Sequence, residues 1–193
     1  MIHDPLDVVV LLGSTREGRF GPTVARWFMT QAGTRDDITA ELIDLADIGL
    51  PAHHPSRHGD EIARYVDRID RADAYVVVTP EYNHGYPASL KMAIDLPHAE
   101  WRNKPVGFVS CGGMAGGLRA VEQLRLVFAE LHVVTMRDCV SFHLAGGRFD
   151  HNGDPYDADG CNRAATTMLG QLVWWGRALR RARHDPVEAC RVD

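Results

Sequence analysis

Short, unbroken apolar runs alternate along this chain with stretches whose apolar residues recur every three or four positions. That alternation limits the fold more than any other feature. Val8-Val9-Val10-Leu11-Leu12 has no polar member, as expected of a parallel strand covered on both faces. Ile38–Leu45, Ala74–Thr79, Val106–Ser110 and His132–Met136 read as further strands. Between them, Val24, Trp27, Phe28 and Ala32 mark a helix that starts at Pro22, a residue suited to a first helical position. Ile62, Tyr65, Val66 and Ile69 mark a second helix, and Leu90, Ala93 and Ile94 a third that Pro97 ends. Leu118, Val121, Leu124, Phe128 and Leu131 form a fourth stripe, and Met168, Leu169, Leu172, Val173, Gly176 and Leu179 a last one. Such an alternation predicts one doubly wound α/β domain over residues 1–193, with no repeat or linker.

A chain of 193 residues buries roughly 70% of its unfolded surface, enough for a core without covalent staples. The net charge of -5 and the scattered basic residues, apart from a cluster near Arg177 to Arg183, exclude a phosphate-tracking groove for nucleic acid. Cys111, Cys139, Cys161 and Cys190 are widely spaced with no CxxC pair, which reads as reduced thiols in a cytoplasmic protein. The N-terminus lacks a basic region, and Val8–Leu12 is too short for a signal or membrane segment.

Strand order follows from where the unusual loops fall. Residues 13–21, 80–86 and 111–117 follow the first, third and fourth strands, and each carries glycine or special chemistry. Ligands of open parallel sheets bind beyond the carboxyl ends of strands, at the switch in strand order. Only the order 2-1-3-4-5 makes those three strands neighbours. The expectation is a flavodoxin-like three-layer sandwich: a five-stranded parallel sheet with helices on both faces.

The first loop, Gly13-Ser14-Thr15-Arg16-Glu17-Gly18-Arg19-Phe20-Gly21, leads into a helix. Backbone N–H groups, hydroxyls and a positive helix end make a phosphate cradle there, with Arg16 and Arg19 as counter-charges. It is neither GxxxxGK[ST] nor GxGxxG, and a plain solvated turn is the alternative. The second loop, Thr79-Pro80-Glu81-Tyr82-Asn83-His84-Gly85-Tyr86-Pro87, offers main-chain groups to the rim of a flat heteroaromatic ring, with Tyr82 and His84 beside it. Its alternative is a turn whose aromatics cap the core, which suits Tyr86. The third, Ser110-Cys111-Gly112-Gly113-Met114-Ala115-Gly116-Gly117, lets backbone approach a planar ligand. N–H groups at the following helix start could stabilise negative charge on that ligand. Cys111 reads as a small residue in a tight place rather than a nucleophile.

His53, His54 and His58 lie in a Pro-containing loop without a nearby cysteine, so a solvated loop is expected rather than a zinc site. Asp150-His151-Asn152-Gly153-Asp154 lacks the full calcium-loop pattern and reads as an Asn-Gly turn. Of Trp174 and Trp175 on the last helix, one is expected to face the core and the other a partner.

Taken together, Gly13-Ser14-Thr15-Arg16 with Arg19-Phe20-Gly21, Pro80-Glu81-Tyr82-Asn83 with Ser89 to Asp95, and Ser110-Cys111-Gly112-Gly113 closely resemble the signature blocks of the NAD(P)H-dependent FMN reductases. The likeness covers roughly residues 7–138. Many members carry serine where Arg19 stands and asparagine where Met92 stands. The resemblance implies that Ser14, Arg16, Arg19, Phe20 and Gly21 surround the FMN phosphate. Pro80, Glu81, Tyr82 and Asn83 would meet the isoalloxazine, and Ser110, Gly112 and Gly113 its other edge. It further implies NADPH or NADH as co-substrate and hydride transfer through FMN to a small-molecule acceptor such as a quinone, an azo compound or a free flavin. No catalytic side chain or metal is needed. A homodimer or homotetramer is implied, with the third and fourth helices as candidate boundary. A flavodoxin-type electron carrier and a flavin-free binding or regulatory domain are the alternatives.

Overall fold

Side chains alternate across a strand, so a strand that is apolar throughout has to be covered on both faces. Val8, Val10 and Leu12 belong to one buried cluster, and Val9 and Leu11 to another. Their strand is β1 (Leu6–Leu12) in the computed structural model, which describes residues 4–184. After it come α1 (Gly21–Gly33), β2 (Ile38–Asp44), α2 (Asp60–Arg71), β3 (Ala74–Pro80), α3 (Ala88–Asp95), β4 (Pro105–Gly112), α4 (Leu118–Glu130), β5 (Val134–Thr135), β6 (Val140–His143) and α5 (Ala158–His184).

The sheet runs β2-β1-β3-β4-β5, and its paired strands are all parallel. This is the flavodoxin-like order expected from the loops. Trp27 and Phe28 of α1 and Met168, Leu169 and Leu172 of α5 fill one face. Ile62, Tyr65 and Ile69 of α2, Leu90 and Ile94 of α3, and Val121, Leu124 and Phe128 of α4 fill the other.

The fifth strand differs from expectation. Residues His132 to Met136 do not pair throughout; only Val134 and Thr135 do, against Pro105 and Val106. His132 has a left-handed φ of 58°, and the Val133 N–H still donates to Phe128 O at the end of α4 (2.9 Å). Beyond Met136, Arg125 donates to the carbonyls of Met136 and Arg137 (2.5 and 2.9 Å) and draws the chain off the sheet. Pairing with β4 resumes at Val140 and runs to His143, opposite Val109 to Gly112. This extra strand, β6, ends beside the glycine loop that follows β4.

The basic cluster near the end of α5 is used internally. Arg180 and Arg183 both hold Asp73 (3.1 and 2.9 Å), and Asp73 also accepts the Asp7 N–H (3.2 Å). Trp174 and Trp175 are 64% and 37% exposed and pack edge to face, 5.0 Å apart. Neither enters the core, because Met168, Leu169, Leu172 and Val173 occupy the inward side of α5. Cys190 lies outside the described residues.

Candidate functional site

Because β1, β3 and β4 are neighbours, the loops that leave their carboxyl ends converge on one cleft of about 640 Å3. That falls within the size range of small-molecule and cofactor sites, roughly 300–1,000 Å3. Ser14, Arg16, Arg19, Phe20 and Gly21 line it from the first loop, Pro80, Glu81, Tyr82 and Asn83 from the second, and Gly112 and Gly113 from the third. Ser110 does not line it. Ser110 is buried, and its hydroxyl donates to Gly116 O (2.9 Å), bracing the third loop from behind.

At the first loop, Ser14 is buried to 1% exposure, yet its Oγ has no protein partner. The adjoining start of α1 carries no side-chain cap and no acidic residue in its first turn, so its orphan N–H groups lack a protein anion. Arg16 projects over Tyr82, its guanidinium carbon 5.1 Å from the ring centroid. Arg19 is engaged elsewhere. Its two terminal nitrogens donate to the Asp44 carboxylate (2.6 and 2.7 Å), and one also donates to Ser14 O. The Asp44 hydrogen bonds raise the Arg19 pKa further above its ordinary value. Arg19 therefore fastens the loop to the end of β2 and brings Asp44, unremarked in the sequence, to the edge of the site.

Tyr82 and Gly85 exchange two backbone hydrogen bonds (2.9 and 3.1 Å), with Asn83 at φ 49° and His84 at φ 75° between them. Positive φ at both central residues is the type I′ pattern. The turn is anchored from α4, where Gln123 donates to His84 O (2.9 Å). Tyr86 packs against the core, as its alternative reading had it. The Glu81 carboxylate turns away from a ligand role: it pairs with Arg119 (2.5 Å) and accepts the Arg119 backbone N–H (3.2 Å). The start of α4, expected to be open to a ligand's negative charge, already has an anion in Glu81.

Gly112 ends β4 and Gly113 follows it, and an added Cβ at Gly113 would meet nothing within 4 Å. Cys111 is 3% exposed, and burial pushes its thiol up to about 11. It stays protonated at neutral pH and is no nucleophile. A further wall was not foreseen. Leu144, Ala145, Gly146 and Gly147, just past β6, line the cleft too, and the Leu144 N–H donates to Gly113 O (3.0 Å). The glycine pair after an alternating Val-Ser-Phe-His strand was the signal that could have revealed it.

The other candidates lie apart from the cleft. His53, His54 and His58 are exposed, and a His54 ring nitrogen bonds Asp95 O (3.1 Å), tying the loop to the end of α3. Asp150 closes its own turn by accepting the N–H groups of Asn152 and Asp154 (both 2.9 Å). Among the described residues, no group of His, Cys, Asp or Glu is placed to hold a metal ion. None of their helices is long and apolar enough to cross a membrane.

Residues 6–147 match the family described as NADPH-dependent FMN reductase. A quinone reductase of Escherichia coli is 32% identical over 193 residues, covering 94% of this chain and 100% of that one. An NAD(P)H-dependent FMN reductase of Schizosaccharomyces pombe is 37% identical over 119 residues, covering 57% of this chain. That match spans 60% of the yeast protein, less than two thirds of its length. Among solved structures, the flavoenzyme NAD(P)H:acceptor oxidoreductase FerB of Paracoccus denitrificans has a TM-score of 0.71. At 23% identity, over 90% of this chain and 98% of that one, it shows a shared fold.

Proposed function

Because the chain belongs to the NADPH-dependent FMN reductase family, we infer that its cleft holds FMN and that it passes reducing equivalents from NAD(P)H to a small acceptor. The observation that carries this reading is Ser14. A buried hydroxyl without a partner is costly, and here it sits beside the uncapped start of α1. A phosphate monoester at that point would satisfy both. The residues present fit the group.

FMN, when bound, supplies the two-electron chemistry, and the protein supplies binding, orientation and electrostatics. Ser14 and the remaining free N–H groups at the start of α1, where Pro22 has none and Thr23 already donates to Phe20 O (3.1 Å), would receive phosphate oxygens. Arg16 adds positive charge at the mouth, while Arg19, held by Asp44, keeps the loop in shape. The I′ turn at Tyr82–Gly85 and the backbone at Gly112 and at the open Gly113 would face the ring. Ser110 and Glu81 act at one remove, bracing the glycine loop and locking the turn loop onto Arg119.

A quinone-type acceptor is supported by the name of the Escherichia coli relative. Assembly as a dimer or tetramer through α3 and α4 is supported by Leu118 and Leu126, both exposed on α4; a monomer by light scattering would remove it. A cytoplasmic setting fits the unbonded thiols of Cys111, Cys139 and Cys161.

The test is the visible spectrum of the purified protein loaded with FMN, followed by anaerobic NADPH. Rapid bleaching of the flavin bands is the expected result. Flavin that binds but stays oxidised would point to an electron carrier. Failure to bind FMN would overturn the reading.

A further inference from the structure

Leu144 is held in a conformation and in surroundings that both work against it. Its φ of 51° lies in the left-handed region, which a residue with a Cβ enters only against a steric penalty. The residue is apolar, yet 64% exposed, so packing does not offset the strained backbone. It does not sit in a slack loop either. The Leu144 N–H donates to Gly113 O (3.0 Å), and Leu144 O accepts the Gly147 N–H (2.9 Å). Both of its peptide groups are pinned.

Leu144 lines the same cleft as Tyr82 and Gly113. The residues after it on that wall, Ala145, Gly146 and Gly147, are small, and an added Cβ at either glycine would meet nothing within 4 Å. One large apolar group therefore stands on an otherwise low wall. Strain of this kind persists at ligand clamps, where it positions a group that packing alone would turn elsewhere. Apolar lining with few polar groups is what a flat apolar ligand requires.

We propose that Leu144 grips the electron acceptor, covering a planar apolar ring of quinone type in the mouth of the cleft and favouring it over small hydrophilic acceptors. This rests on the reductase reading above. Leu144 stands on the wall beyond the loops after β1, β3 and β4 that would anchor FMN, so its effect is expected on acceptor choice before cofactor affinity.

The test is Leu144→Gly in the FMN-loaded protein, since glycine accepts the same φ without strain. The KM for 1,4-naphthoquinone is expected to rise about tenfold, the size of effect that one apolar contact supplies. At saturating FMN, the rate with ferricyanide should change less than the naphthoquinone KM does, and the denaturation midpoint should not fall. A naphthoquinone KM within twofold of the parent's would overturn the proposal. So would an equal change with both acceptors, or a parallel loss of FMN affinity, which would assign Leu144 to the cofactor. A lowered midpoint would assign it to the fold. Naphthoquinone binding to the oxidised holoprotein, followed by perturbation of the flavin spectrum, separates this proposal from the reductase reading. A parent that never oxidises NADPH, but whose quinone affinity still falls about tenfold on Leu144→Gly, sinks the reading and leaves the grip standing.

Discussion

Replacing Ser14 by alanine should have opposite effects on the apoprotein and the FMN-loaded protein. The Ser14 hydroxyl is buried and unpartnered, and an unsatisfied buried group of this kind costs about 1–3 kcal/mol. Alanine removes the oxygen and keeps the Cβ, so the apoprotein should gain about 1 kcal/mol in urea denaturation. With FMN the balance reverses. A hydrogen bond to a charged group is worth about 1.5–3 kcal/mol, so the FMN dissociation constant should rise roughly 10- to 150-fold. At an FMN concentration 100 times the parent's dissociation constant, binding stabilises the parent by about 2.7 kcal/mol. A variant that binds about thirtyfold more weakly gains only about 0.9 kcal/mol there. The variant, about 1 kcal/mol ahead without FMN, should then trail by about 0.8 kcal/mol with it. Urea melts with and without FMN, alongside quenching of FMN fluorescence, measure both halves. An apoprotein destabilised by the substitution, or an FMN affinity within threefold of the parent's, would refute the reasoning.

Three further outcomes follow from the same geometry. Gly117 has φ 88°, and a Cβ there would lie 2.7 Å from Ser110 Cβ and 3.0 Å from Cys111 N. Gly117→Ala should therefore cost about 2–5 kcal/mol from left-handed strain plus overpacking, and a loss under 1 kcal/mol by denaturant titration would contradict it. His84 carries φ 75° in an exposed turn. His84→Gly should raise stability by about 0.5–1 kcal/mol, the relief of strain less the added chain entropy; a lower midpoint would argue against this. Lys104 is buried and donates to the carbonyls of Ile69 and Asp70 (3.1 and 2.5 Å), and burial lowers its pKa to about 8 from an ordinary 10.5. Between those values the unfolded chain binds a proton that the folded one does not, so Lys104 makes stability rise with pH across that window. Measured against Lys104→Met, the parent's unfolding free energy should climb over that interval; a flat difference would exclude the effect.

Much of the architecture was legible because it depends on local rules. The unbroken Val8–Leu12 run fits a doubly covered strand, and Val24, Trp27 and Phe28 share one face at helical spacing. Loops carrying glycine or special chemistry after β1, β3 and β4 were enough to choose the strand order, since ligands gather at the switch point. Eleven of the twelve residues proposed for the site line the cleft; Ser110 alone lies behind it. The missed elements have a common cause. β6 is four residues long, and its alternating Val-Ser-Phe-His pattern hints at a strand without naming the edge of β4 that it pairs with.

Side-chain partners belong to the same class. Asp44 and Arg19 are 25 residues apart, and Glu81 and Arg119 are 38 apart. Both pairs meet only once β2, β3 and α4 are placed. Residue type and spacing, acting over a few bonds, determined where strands, helices and ligand loops would form. Only the tertiary structure decided that Arg19 is tied to Asp44, that Glu81 turns to α4, that Ser14 is left without a partner and that Leu144 stands over the cleft. Those outcomes depend on distances between residues remote in the chain, and only the packed sheet establishes such distances.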